Sequence, residues 1–110
     1  MFDSRDALAQ RIRALLAAHG DVREVNMFGG LSFMVDGRMA VAARRDGGLL
    51  VRTTPERHDD YRRRGAEPAH MGAGRPMGEG WLVVPPAGVD DDAELAFWVD
   101  AGLGHDGLAP

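Results

Sequence analysis

Apolar positions recur at helical spacing at the start of the chain. Leu8, Ile12, Leu15, Leu16 and His19 share one side of a 3.6-residue period, and Arg5, Arg11 and Arg13 take the other. The pattern predicts an amphipathic helix over residues 4–19, capped by Asp3 or Ser4 and ended by Gly20. A strand is expected over 22–27, and Gly29-Gly30 then marks a bulge or bend. Strands over 31–35 and 38–44 flank Asp36-Gly37, residue types that accept the positive φ required at both centres of a two-residue type I′ turn. In that hairpin Val35 should lie opposite Arg38, and Phe33 opposite Ala40. Asp46-Gly47-Gly48 turns the chain into a further strand over 49–53.

Thr54-Pro55-Glu56 combines a capping residue, proline at the first helical position and an acid in the first turn, so a short helix should run to Arg64 and stop at Gly65. Residues 66–80 hold too much glycine and proline for an element interior. They read as a loop with a short edge strand near 71–77. Trp81-Leu82-Val83-Val84 has the length of a buried strand, closed by Pro85-Pro86. Asp90, Asp91, Asp92 and Glu94 then open a helix that carries Leu95, Trp98, Val99 and Leu103 on one face and ends near Gly104. Helices of this kind must bury their stripes against one face of an antiparallel sheet. The fold class is therefore α+β, a two-layer meander with helices packed on one face, in the order α, three or four β, α, two β, α. Residues 1–104 form one domain and 105–110 a flexible tail.

Composition narrows the function more than it names it. At 110 residues the chain has the size of one domain, and no apolar run approaches a membrane span. The first 19 residues lack the apolar core of a secretory signal, so a cytoplasmic location is expected. Cysteine is absent, which excludes disulfides, thiolate catalysis and sulfur-held metals. All 13 basic residues are arginine against 17 acids, a net charge of −4. Lysine-based catalysis is thereby excluded, and a net acidic chain lacks the electrostatic footprint of an autonomous nucleic-acid binder.

Candidate chemistry is sparse. His19, His58, His70 and His105 form no metal-ligand spacing, and His58-Asp59-Asp60 are consecutive on a helix and point in different directions. Ser4 and Ser32 sit on no nucleophile elbow. Asp90-Asp91-Asp92 matches no calcium loop and reads as a helix start. Gly72-Ala73-Gly74-Arg75-Pro76-Met77-Gly78 resembles a phosphate loop, but no Lys, Ser or Thr follows it and a strand comes next. No catalytic residue, metal site or cofactor is expected, and the chain is not read as an enzyme. Arg62, Arg63 and Arg64 form the densest positive run, open to two readings: a phosphate-binding patch, or cations at a helix C-terminus with Asp59 and Asp60 in salt-bridge reach.

Met27-Phe28-Gly29-Gly30, Val35-Asp36-Gly37-Arg38-Met39-Ala40-Val41, Gly74-Arg75-Pro76-Met77, Gly80-Trp81 and the Asp-rich start of the helix bearing Trp98 together resemble the TfoX/Sxy N-terminal domain. The likeness spans roughly residues 5–103, with Gly78-Glu79 lengthening one segment. It implies a secretion-chaperone-like fold and a kinship with competence regulators, and it offers no catalytic residues to carry over. Proteins resembling the full regulator carry a second, C-terminal domain beyond this region. The expected function is a small cytoplasmic regulatory or interaction module acting through protein contacts, alongside transcription machinery. Its partner-binding surface is expected where Met27, Phe28, Gly29 and Gly30 meet Arg75 and Met77 side by side, and a homodimer is admitted. The alternatives are a nucleic-acid factor using Arg62, Arg63 and Arg64, or a small-ligand binder or cryptic enzyme at the Gly/Met-rich crevice.

Overall fold

The computed structural model describes residues 4–17, 21–27, 30–71, 75–76, 78 and 80–104. The first helix, α1 (Ser4–Leu16), buries Leu8, Ala9, Ile12 and Leu16. Leu15, expected on that stripe, lies at its rim and is 38% exposed, because the i, i+4 ridge of Leu8, Ile12 and Leu16 already fills the contact with the sheet. The capping glycine Gly20 and the last predicted turn with His19 lie outside the described residues.

Strands β1 (Val22–Met27), β2 (Gly30–Val35), β3 (Arg38–Arg44) and β4 (Leu49–Arg52) form an antiparallel meander. Asp36 and Gly37 take φ of 53° and 84°, and Val35 pairs with Arg38 as the two-residue turn requires. Phe33, however, pairs with Val41 and not with Ala40. The register slips between Phe33 and Met34, so Ala40 is an extra residue in β3. The slip turns Ala40 and Val41 to the same side, where both join the main core. The end of the last helix rests on this bulge. A Cβ on Gly102 would collide with the Ala40 carbonyl oxygen and stand 2.7 Å from Val41 Cγ1.

Helix α2 (Pro55–Arg63) starts behind Thr54, which has the extended backbone of an N-cap but makes no side-chain cap bond. Gly65, at φ 117°, follows its end. The single edge strand expected near 71–77 is two separate features. Strand β5 (Glu67–Pro68) pairs with β8 (Trp81–Val84), and β6 (His70–Met71) with β7 (Arg75–Pro76) forms a small hairpin of its own. Pro68 explains the brevity of β5, since it removes a ladder donor.

The main sheet is open and six-stranded in the order β1-β2-β3-β4-β8-β5, every described pairing antiparallel. With three helices on one face, it is an α+β fold. Helix α3 (Asp92–Gly102) begins at Asp91, whose carboxylate accepts from the Glu94 amide at 3.1 Å, so the acidic run caps a helix. Its Trp98 is 1% exposed and meets Tyr61 of α2 edge-on at 5.4 Å, with Phe97 completing the aromatic group. The main core joins these rings to Phe33, Val41, Leu49, Val51 and Leu82. On the opposite face Met39, Ala42, Leu50 and Ala69 form a smaller cluster edged by Met34, Trp81 and Val83. Among the described residues no helix is long and apolar enough to cross a membrane.

Candidate interaction surface

The two edges of the main sheet are unequal. β5 ends one side after two residues, one of them proline, whereas β1 presents six residues along the other. Among the described residues no strand pairs with the outer side of β1. The Asp36 amide donates to the Asp21 carbonyl at 2.9 Å, which makes this opposed pair a hydrogen-bonded one. Antiparallel alternation then turns the N–H and C=O of Arg23, Val25 and Met27 toward β2, and those of Val22, Glu24 and Asn26 outward.

The side chains divide by face. Val22 packs against the main core, and on that face Glu24 receives both arms of the Arg13 guanidinium at 2.6 and 2.7 Å, tying β1 to α1. The hydrogen bonds from Arg13 hold the Glu24 carboxyl below its ordinary value of 4.5. Arg23 and Val25 project from the other face. Val25 is 40% exposed, and Arg23 is exposed with no ion pair among the described residues. Beside Val25, its cross-strand neighbour Ser32 is fully buried, and its hydroxyl makes no hydrogen bond among the described residues.

Of the described residues in the glycine and methionine motifs, only Met27 and Gly30 are placed at this edge. Met27 and Gly30 are opposed residues closing the β1–β2 end. Gly30 also has a packing reason for its identity, since a Cβ there would collide with the Ala43 carbonyl oxygen. Phe28, Gly29 and Met77 lie outside the described residues. Arg75 sits in β7, in the second sheet, paired through its backbone with Met71. A cleft of about 250 Å³ opens elsewhere, between the β2–β3 turn and the end of α3, with Asp36, Arg38, Thr53 and Gly102 among its walls.

The arginine run is largely committed. Arg63 binds Asp60 at 2.9 Å, as the sequence suggested. Arg64, expected to reach the same helix's acids, instead crosses to Glu94 of α3 at 2.7 Å and lies 3.6 Å over the Phe97 ring. Arg62 lines an open hollow with Asp59 and Glu67. Sequence reasoning missed Arg23, Val25 and Asn26 as surface candidates. The signal for them is an apolar residue flanked by polar ones in β1, but only the sheet order shows that this strand is an edge.

The fold matches the crystal structure of Deinococcus radiodurans protein DR2400, which carries a DUF419 domain. The TM-score is 0.66, with 18% identity, covering 86% of this chain and 75% of that one. At that identity the likeness speaks for the fold alone. No curated protein matches the sequence. The family model of the TfoX N-terminal domain matches residues 14–105, which takes in β1, the Asp36-Gly37 hairpin and the helix bearing Trp98, and the chain belongs to that family.

Proposed function

We propose that the chain is a small cytoplasmic regulatory module that works through protein contacts, alongside transcription machinery, and not through turnover of a substrate. The observation that supports this is the six-residue edge of β1, open among the described residues, which carries an exposed valine and an exposed arginine with no ion pair among those residues, next to the Met27 and Gly30 corner. Soluble domains ordinarily blunt such edges, as Pro68 blunts the opposite one. The surface in use then comprises β1 and its Met27 and Gly30 end, with Phe28, Gly29, Arg75 and Met77 as further candidate residues.

Affinity capture from native lysate with the intact chain tests the reading. An Arg23→Glu, Val25→Glu double variant should lose the partner that the parent recovers, with its Tm within a few degrees, since exposed substitutions change stability little. Equal recovery would remove β1 from the surface, and no saturable recovery by the parent would end the protein-contact reading. Arg75→Ala in the same assay asks whether that side chain contributes.

A further inference from the structure

We infer that the outer edge of β1 takes up an extended peptide strand in which an apolar residue and a carboxylate stand two positions apart. The inference rests on the protein-contact reading above and adds the mode of docking and the chemistry of the partner. Val22, Glu24 and Asn26 offer outward backbone donors and acceptors, the set that an added strand needs. An added strand would lie about 4.8 Å away, and its side chains would alternate between the same two faces. On one face it meets Val22 and the Arg13–Glu24 pair, which is already neutral. On the other it meets Arg23 and Val25, two residues apart, the first lacking a carboxylate among the described residues and the second 40% exposed. A strand with an acid and an apolar residue at that spacing satisfies both through cross-strand pairs.

A second copy fits this edge less well. The antiparallel registers that overlap most of β1 with itself set Glu24 against its own counterpart or Arg23 against Met27, so Arg23 gains no carboxylate in either.

The probe is a labelled synthetic peptide in which valine and glutamate alternate along one face and threonine fills the other, read by fluorescence anisotropy against the intact protein. Its control carries lysine in place of glutamate. The parent should bind the glutamate peptide at least about tenfold more tightly than the lysine one, and Arg23→Glu should reverse the order. Asn26→Pro removes an outward N–H without touching the ladder to β2, and should weaken binding at least about tenfold with Tm nearly unchanged. If that variant unfolds, the glutamate peptide with alternate amides N-methylated withdraws the same hydrogen bonds from the other side, and should bind no better than the lysine peptide. Equal affinity for the two peptides, indifference to Asn26→Pro in a folded variant and to N-methylation, or no saturable binding overturns the inference. A native partner captured equally by parent and Asn26→Pro overturns strand addition while the protein-contact reading stands. A parent that sediments as a dimer, with Asn26→Pro a monomer, gives the edge to a second copy and equally overturns the peptide proposal.

Discussion

Asp36 and Gly37 show how much two residues decide. Their φ values of 53° and 84° turn β2 directly into β3, and the bulge at Ala40 and the seat of Gly102 lie immediately beyond. Gly37→Val places a β-branched side chain at a φ it resists, although open space surrounds the site, so the cost is conformational and not steric crowding. The expected destabilisation is about 1–3 kcal/mol, read as a lowered midpoint in thermal or urea unfolding. A variant that unfolds like the parent would show that the turn can take another geometry. Arg64 is a second residue whose place was hard to foresee. The nearest acids in sequence, Asp59 and Asp60, belong to its own helix, but its carboxylate partner is Glu94, 30 residues further along.

At the scale of elements, α1 is held by two arginine brackets. Arg11 reaches Asp92 at 2.9 Å and the Asp90 carbonyl at 3.1 Å, while Arg13 grips Glu24 of β1. The second bracket gives stability a sign with pH. Glu24 has a folded-state pKa below its unfolded value, so its contribution is fully present above about pH 4.5 and is lost as pH falls through the depressed value. Acid titration of the melting midpoint should show this loss below pH 4.5, and Glu24→Gln should lower the neutral-pH midpoint and flatten the acid limb. An unchanged acid limb would assign acid sensitivity to other carboxylates. Most elements were legible beforehand, because caps, glycines and the shift between periods two and 3.6 mark their ends. β1, β3 and β8 have the predicted bounds. The bulge was not legible: Met39-Ala40-Val41-Ala42-Ala43 is apolar throughout, so an extra residue leaves no mark on the alternation. The β6–β7 hairpin was hidden for the opposite reason, since its glycine-rich surroundings carry no periodic signal. The open edge was out of reach because nothing in the sequence says that β8 joins β4 and not β1, a non-local pairing that only tertiary structure supplies.

For the whole molecule, the net charge of −4 and the engagement of Arg63 and Arg64 set a limit on nucleic-acid binding. The isolated chain should bind duplex DNA weakly and without sequence preference, at a Kd above about 10⁻⁶ M at physiological salt and weaker still as salt rises. Titration of labelled duplexes at two ionic strengths checks this, and submicromolar sequence-selective binding would favour the arginine run over β1 as the working surface. The asymmetry between the two rims of the sheet has a wider consequence. An endless fibril of sheets joined rim to rim needs each protomer to be receptive on both sides, whereas here the far rim ends in a two-residue strand containing proline. Growth of this chain's own sheets along the hydrogen-bonding direction therefore stops at a pair joined β1 to β1. An uncovered β1 does not by itself seed a polymer of this chain.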